Sequence, residues 1–135
     1  MRAVIDTNVF VSALINRKGA PAKIRNRWSN SQFLLVTSIA IEVEYTYVLL
    51  QSQVPRGEVK ELLADVRARA LMVPIHGTLQ VCSDPDDDVF LETAIAGKAE
   101  FLVTKNLKHY PRKSYQGVRI VKVSKFLHEL EKIKP

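Results

Sequence analysis

Short apolar runs alternate with longer helical stretches along this chain of 135 residues, and this alternation restricts the fold more than any other feature. Runs that are typical of buried strands cover residues 3–5, 33–37, 101–104 and 118–121, with a weaker one at 71–73. Short strands that alternate with helices predict an α/β fold with a parallel sheet covered on both faces. In such sheets the functional crevice lies beyond the carboxyl ends of the strands.

Proline residues and side-chain caps indicate where the helices begin. Helices are predicted at residues 9–14, 21–28, 39–50, 55–70, 85–99 and 125–132. Pro21 and Pro55 suit a first helical turn. Ser38, Asp84 and Ser124 are typical N-cap residues. Since no repeat, linker or low-complexity segment interrupts the pattern, we expect one domain over residues 1–135.

The composition is that of a globular protein, with 47% hydrophobic and 25% charged residues. No apolar run approaches the roughly 18 residues that a membrane span requires. The first residues lack the long apolar stretch of a signal peptide, so a cytoplasmic location is expected. The single cysteine, Cys82, excludes an internal disulfide and a zinc site with several cysteines.

The charge balance indicates a polyanionic partner. Twenty lysines and arginines against fourteen acidic residues give a formal net charge of +6, and nucleic acid is the commonest polyanion in the cytosol. The two signs are distributed unevenly, because acids lie beside the apolar runs at Asp6, Glu42, Glu44 and 84–88 while the bases spread elsewhere. Acids that gather near the core of a basic protein suggest a specific use.

Two of these acids lie at informative places. Asp6 ends the first apolar run, at the carboxyl end of a predicted strand, and the alternative is that it only caps the next helix. Glu44 interrupts an apolar stripe formed by Ile41, Tyr45 and Val48. The alternative for Glu44 is a paired acid at the edge of the core.

The third acidic feature is the run at 84–88, with four aspartates in five residues. One or two acids in a first helical turn are explained by the helix dipole, but four exceed that need. Asp87 shares a face with Phe90, Leu91 and Ala94, so it is expected to point inward, and Asp88 is a close second. Asp84 is expected to cap the helix, and Asp86 to face water.

Carboxylates that converge at one crevice would repel each other at neutral pH, and a divalent cation would relieve this repulsion. Carboxylate ligands without His or Cys suit the hard ions Mg²⁺ and Mn²⁺. A water made more acidic by such an ion can attack a phosphodiester. These residues therefore predict an acidic metal centre with surrounding bases that hold a nucleic-acid backbone.

At these positions the sequence resembles PIN-domain ribonucleases. Residues 4–14, Val-Ile-Asp-Thr-Asn-Val-Phe-Val-Ser-Ala-Leu, are close to the opening motif of that family. The likeness continues at Leu-Val-Thr-Ser (35–38), Asp-Pro-Asp-Asp-Asp-Val-Phe-Leu (84–91), Ala-Glu-Phe-Leu-Val-Thr (99–104) and Val-Arg-Ile-Val (118–121). It spans nearly the whole chain and is greatest to toxins of type II toxin–antitoxin operons, related to VapC.

The resemblance implies a three-layer PIN-like fold, with a four- or five-stranded parallel sheet between helices, and Mg²⁺- or Mn²⁺-dependent cleavage of RNA. The acids that carry over as catalytic metal ligands are Asp6, Glu44 and Asp87, with Asp88 and Asp84 as further candidates. Many PIN proteins have a fourth acid where this chain has Asn106, whose amide oxygen could contribute instead. A homodimer and an antitoxin that covers the site are also implied.

Neighbouring polar and basic residues complete the expected site. Asn8, Ser38 and Thr104 are expected to orient the ligands or the scissile phosphate. Candidates for RNA backbone contacts follow the strand at 101–104: Lys105, Lys108, Arg112 and Lys113. For each of these four cations, a solvated basic loop is the alternative.

Two other classes of function stay open on the sequence. A non-catalytic RNA- or antitoxin-binding PIN module is favoured by Asn106. A phosphotransfer domain could use Asp6, but a second aspartate would be expected at the place of Asn8. The histidines at 76, 109 and 128 have no ligand spacing and are expected at the surface or in caps.

Overall fold

The apolar run at 3–5 lies inside a six-stranded sheet in the computed structural model, which describes residues 1–133. The strands are β1 (Arg2–Ile5), β2 (Leu34–Thr37), β3 (Leu71–Met72), β4 (Phe101–Val103), β5 (Ser114–Tyr115) and β6 (Val118–Val121). Their order is β3-β2-β1-β4-β6-β5, and every pair is parallel except β5 with β6. The predicted α/β fold with its parallel sheet is confirmed, and β5 is an antiparallel addition at one edge.

Helices cover this sheet and form the predicted three-layer arrangement. They are α1 (Thr7–Ile15), α2 (Ala20–Ser29), α3 (Ile39–Gln51), α4 (Arg56–Arg69), α5 (Pro85–Ala96) and α6 (Val123–Glu131). α5 packs across β1, β2, β4 and β6, while α3 packs against α1, α4 and α5. Among residues 1–133, no helix combines the length and the apolar character needed to cross a membrane.

The direction of winding changes between β1 and β4. From β1 the chain adds β2 and β3 on one side, and later adds β4 and β6 on the other. Such a switch leaves a crevice beyond the carboxyl ends of the two adjacent strands. Asp6 directly follows β1 and Thr104 directly follows β4, where Ile5 pairs with Val103. The fold therefore places Asp6 and Thr104 together at this crevice.

The start of the last helix differs from the prediction. A helix was expected from Lys125, with Ser124 as its cap, but α6 begins at Val123. Val123, Phe126 and Leu130 form its buried face, so the apolar stripe starts before the expected cap. Burial of Val123 therefore decides the first turn, and Ser124 is an exposed residue within the helix.

The end of the fifth helix also differs, because α5 stops at Ala96 rather than at Ala99. Gly97 follows as the C-cap, and Lys98 takes a positive φ of 53° that turns the chain towards β4. A Cβ at position 97 would lie 2.4 Å from Val36 Cγ1, so only glycine fits against β2 here. Close approach of the helix end to the sheet, rather than helix propensity, sets this boundary.

Two short elements were not predicted. β5 reaches β6 through the turn Gln116–Gly117, whose φ angles are 46° and 85°. Positive φ at both positions is what a type I′ hairpin turn requires, and Asn-Gly or Asp-Gly is its usual sequence signal. A single 3₁₀ turn covers Leu107–His109. Three residues are too few to show an apolar period.

Candidate functional site

Asp6 lies at the switch point between β1 and β4 and is only 8% exposed. Its Oδ2 accepts a hydrogen bond from Thr104 Oγ1 at 2.8 Å. Asp6 occupies the N-cap position of α1, but its side chain makes no capping hydrogen bond, so capping does not account for the carboxylate. Burial raises the pKa of Asp6, and the bond from Thr104 offsets part of this rise.

α3 carries Glu44 to the same place. Tyr45, the next residue in the helix, is fully buried, and its hydroxyl donates a hydrogen bond to the carbonyl oxygen of Ile5, the residue before Asp6. Thr7 Oγ1 donates a hydrogen bond to Glu44 Oε2. Burial raises the pKa of Glu44, the bond from Thr7 opposes the rise, and the negative charge of Asp6 adds to it. Glu44 therefore lies within electrostatic reach of Asp6.

Asp87 reaches the crevice from the first turn of α5 and is buried, as its spacing predicts. Its Oδ2 lies 3.4 Å from His109 Nδ1. This distance is in the range of an ion pair, and among residues 1–133 this buried oxygen has no hydrogen-bond partner. Burial raises the pKa of Asp87 to about 6, with a further contribution from the charge of Asp6 and an opposing one from His109. The crevice thus contains a buried carboxylate oxygen with its bonding capacity unused.

Asp88 and Asp84 have structural contacts of their own. Asp88 is buried, and its Oδ1 accepts hydrogen bonds from the backbone N–H groups of Val81 at 3.0 Å and Cys82 at 2.8 Å. Asp84 is the exposed N-cap of α5, and its Oδ1 accepts from the N–H of Asp86 at 2.9 Å. Of the four aspartates, Asp87 is the one whose carboxylate combines burial with an unpartnered oxygen. This geometry favours Asp87 as the third acid of the crevice.

Replacing Asp88 should therefore affect stability first. We expect Asp88→Ala to lower the free energy of unfolding by about 2 kcal/mol, because two backbone N–H groups lose a charged acceptor. Asp88→Asn keeps an oxygen acceptor and should lose less than half as much. Urea denaturation followed by circular dichroism measures both changes. Equal stability of Asp88→Ala and the parent protein would contradict this role.

Thr104 and Ser38, both expected to orient the acids, are buried in different surroundings. Thr104 makes the bond to Asp6 that the expectation requires. Ser38 Oγ instead accepts from the N–H of Ile41 at 3.3 Å and lies 2.9 Å from Thr93 Oγ1. Ser38 thus caps α3 and links it to α5, which positions the helix that carries Glu44.

Asn8, the third residue expected to orient the acids, is exposed, and the residue before it makes the contact instead. Thr7 is buried and donates to Glu44. The sequence carried a signal for this, because Thr7 lies three and four residues before Phe10 and Val11 and so shares their inward face. The first turn of α1 therefore orients Glu44 through Thr7.

The predicted RNA contacts lie on the segment that leaves β4 beside Asp6. Lys105 is exposed, and its Nζ donates to Ser12 Oγ at 2.8 Å. The N–H of Asn106 donates to Thr104 Oγ1 at 3.1 Å, while its side chain is exposed at the start of the 3₁₀ turn. The other three predicted cations are also exposed: Lys108, Arg112 and Lys113.

His109 and Tyr110 lie near the acids, and the sequence did not point to either. Tyr110 is 5% exposed, and its hydroxyl has no hydrogen-bond partner within the described part of the chain. Burial raises the pKa of Tyr110, and the charges of Asp6 and Asp87 add to the rise. The segment that carries both residues has no periodic pattern, so only the tertiary structure shows their proximity to the acids.

The electrostatics of the crevice favour a bound cation. The charge of Asp6 raises the pKa of both Glu44 and Asp87, so ionising all three carboxylates costs free energy without a counter-charge. Within residues 1–133, however, no three Asp, Glu, His or Cys side chains are already arranged to coordinate a metal directly. A cation bound here would therefore be held partly through its own waters, a mode of binding that is common for Mg²⁺.

Comparison with known proteins identifies similar chains. A family model described as PIN domain matches residues 2–108, which include all three acids and Thr104. An uncharacterized protein of Methanocaldococcus jannaschii is 25% identical over 144 residues, which cover 98% of this chain and 93% of that protein. The crystal structure of VapBC2 from Rickettsia felis bound to a DNA fragment from their promoter matches with a TM-score of 0.57 and 18% identity. That match covers 90% of this chain and 98% of the other, and it concerns the fold.

Proposed function

The chain belongs to the PIN domain family, whose members are generally nucleases, and from this premise we propose that it is a metal-dependent endoribonuclease. The proposed enzyme is a single PIN-like domain over residues 1–135 that cleaves RNA phosphodiester bonds with Mg²⁺ or Mn²⁺ as its cofactor. Its catalytic residues and metal ligands are Asp6, Glu44 and Asp87. A cytoplasmic location, where RNA substrates occur, is part of the same proposal.

The observation that carries this proposal is that the charge of Asp6, at the switch point of the sheet, acts on the carboxylates of Glu44 and Asp87. Asp6 comes from the end of β1, Glu44 from α3 and Asp87 from the start of α5. The charge of Asp6 acts on the other two, and among residues 1–133 the buried Asp87 Oδ2 has no hydrogen-bond partner. Bringing mutually repelling acids together costs free energy, and such groups with shifted pKa values occur mainly at functional sites.

The chain's own groups would hold the acids ready for the reaction. When bound, Mg²⁺ or Mn²⁺ would supply a more acidic water and neutralise charge on the phosphate. Thr104 holds Asp6, and Thr7 holds Glu44, each through a hydroxyl that donates to a carboxylate oxygen. These two bonds leave the remaining carboxylate oxygens available for the ion. Asp87 adds an oxygen from the facing helix.

Thr104 offers a test of this orienting role. We expect Thr104→Val to lower metal-dependent RNA cleavage by about 10–100-fold, because Asp6 loses the hydroxyl that fixes it. Thr104→Ser keeps the hydroxyl and should retain most of the rate. Initial rates with labelled RNA measure both variants. A Thr104→Val protein that cleaves as fast as Thr104→Ser would show that the hydroxyl is not needed.

RNA is the proposed substrate because the acids lie within a basic surface. The net charge is +6, and the cations that follow β4 start one residue beyond Thr104: Lys105, Lys108, Arg112 and Lys113. Exposed lysines and arginines bind the phosphates of a nucleic acid without regard to sequence. This arrangement would hold the RNA backbone while the acids act on one phosphodiester.

We extend the proposal to a toxin that an antitoxin silences, as the fold likeness to VapBC2 suggests. The α3 helix has an exposed apolar face, with Ile39 at 72% and Val43 and Tyr47 each at 63%. A cavity of about 560 Å³ beside this face is lined by Val43, Tyr47 and Glu44, among others. An exposed apolar stripe next to the acids supports a protein partner, an antitoxin or a second copy in a homodimer.

The second candidate is a non-catalytic RNA- or antitoxin-binding module. It is supported by Asn106, which has no charge at the place of the fourth acid. It is also supported by the absence, among the described residues, of three Asp, Glu, His or Cys side chains grouped so that they could hold a metal ion. The two candidates differ in whether phosphodiester bonds break, so one assay separates them.

That assay incubates the purified protein with labelled single-stranded and structured RNA in the presence of Mn²⁺. The nuclease proposal predicts fragments that EDTA prevents and that added Mn²⁺ restores. Gel shifts in the same samples show whether RNA binds. RNA binding without fragments would support the non-catalytic module. Neither binding nor cleavage would contradict the nuclease and the RNA-binding form of the module.

A further inference from the structure

A second cavity shares Thr104 with the acidic crevice. It measures about 540 Å³, which lies within the range of small-molecule sites. Thr104 donates its hydroxyl to Asp6 and also lines this cavity. The cavity therefore lies next to the residue that holds Asp6.

The apolar part of the cavity comes from three helices. Ile15 ends α1, Ala20 and Pro21 begin α2, and Val123 begins α6. Ile15 is 60% exposed, so its apolar side chain is accessible at the cavity. An apolar wall beside a small number of polar groups is typical of sites that bind small organic groups. A nucleobase has the shape and polarity for such a surface.

Two lysines supply the charge of the cavity. Lys105 and Lys122 follow the adjacent strands β4 and β6, where Val103 pairs with Val121, so both lie at the same edge of the sheet. Lys122 is also the N-cap of α6, and the first two residues of that helix, Val123 and Ser124, line the cavity as well. The lining within residues 1–133 includes no acid, whereas Glu44 and Asp86 line the cavity beside α3.

We propose that this cavity binds one nucleotide of the RNA next to the cleaved bond, with its base on the apolar wall and its phosphate between Lys105 and Lys122. The inference rests on the proposed function, since it takes RNA to be the substrate. The apolar wall would pack against the base, and the two lysines would bind the phosphate. A cation or a basic protein segment does not match a cavity with this charge.

Binding to the Asp6→Asn protein tests the site without requiring cleavage. The probe is a fluorescein-labelled single-stranded RNA, followed by fluorescence anisotropy at several salt concentrations. We expect Lys122→Gln to weaken binding about tenfold and to reduce the salt slope by about 0.7, as the loss of one phosphate contact predicts. Ile15→Asp should weaken binding at least as much, because it puts a negative charge on the apolar wall. Lys60→Gln, on the exposed side of α4, is the matched control and should bind within twofold of the parent.

Both test positions are exposed, so circular dichroism and thermal unfolding should match the parent. If Lys122→Gln and Ile15→Asp both bind RNA within twofold of the parent, the nucleotide site is wrong. If they change only the oligomeric state in light scattering, the cavity is a protein interface and the proposal is overturned. A wild-type protein that does not cleave RNA, but whose binding Lys122→Gln weakens, would contradict the nuclease and still support the nucleotide site.

Discussion

Asp6→Asn should lower the rate of metal-dependent RNA cleavage by at least about a thousandfold. The substitution removes a charged oxygen donor, and a loss of about 4 kcal/mol of transition-state stabilisation corresponds to that factor. The fold should persist, because an asparagine oxygen can still accept the hydrogen bond from Thr104 Oγ1. The neutral amide also removes a buried carboxylate whose pKa is raised. Single-turnover rates with labelled RNA and Mn²⁺ measure the change.

The matched control is Glu131→Gln, which removes an acid from the exposed side of α6. It should cleave within twofold of the wild type, since it lies outside the crevice. Both variants need the same purification, because a trace of another nuclease would produce equal residual rates. If the Asp6→Asn protein cleaves RNA at more than a tenth of the wild-type rate, Asp6 does not hold the ion.

Asp87→Asn should have opposite effects on stability with and without metal. In EDTA the wild type carries a carboxyl group whose pKa is raised from 3.8 to about 6 by burial and by the charge of Asp6. The pKa of Asp87 is higher in the folded than in the unfolded protein, so the protonated side chain is the form that favours folding. Its contribution to the free energy of unfolding is complete below about pH 4 and is lost as the pH rises through about 6. Asparagine does not titrate, so the variant becomes more stable than the wild type over this interval. A shift of this size corresponds to about 3 kcal/mol, and screening by water in the crevice reduces the expected gain to about 1–2 kcal/mol.

Added metal should make the wild type more stable than Asp87→Asn. Mn²⁺ at about a hundred times its dissociation constant stabilises a protein with one site by about 2.7 kcal/mol, and Asp87→Asn should gain little of this. Urea denaturation at pH 4, 6 and 7.5, in EDTA and in Mn²⁺, measures both effects. Asp86→Asn, an exposed neighbour, should differ from the wild type by less than about 0.5 kcal/mol in each condition. If Asp87→Asn is less stable than the wild type in EDTA at pH 7.5, the ionised carboxylate of Asp87 does not destabilise the metal-free protein, which contradicts this prediction.

The parts of the fold that could be predicted are those with a local signal. Ala3 to Ile5 form a buried apolar run that ends in a polar residue, and this pattern alone placed Asp6 at a strand end. The boundary at Val123 could not be predicted, because burial of Val123 in the fold decides it rather than a cap. The strand at Ser114–Tyr115 depends on a turn whose backbone Gln-Gly adopts without the usual sequence signal.

The same distinction applies to the site. Glu44 was predicted because it interrupts an apolar stripe, and Asp87 because it shares a helix face with apolar residues. In a regular helix the spacing along the sequence determines which side chains lie on the same face. The rule that parallel strands end at one edge places Asp6 beside Thr104, whereas the approach of Glu44 and Asp87 depends on how α3 and α5 pack. The contact of Asp87 with His109 joins residues 22 positions apart through a loop and a 3₁₀ turn, where no periodic pattern exists. Sequence reasoning can therefore find acids on regular elements, whereas their neighbours on loops require the structure.

A crystal of the wild-type protein soaked in Mn²⁺, with anomalous scattering used to locate the ion, tests directly whether the three acids hold a metal. The proposed site predicts an anomalous peak at the carboxyl end of β1, with oxygens of Asp6, Glu44 and Asp87 about 2 Å away or bridged by one ordered water. A peak at another surface, or a crevice with ordered waters alone at saturating Mn²⁺, would contradict it.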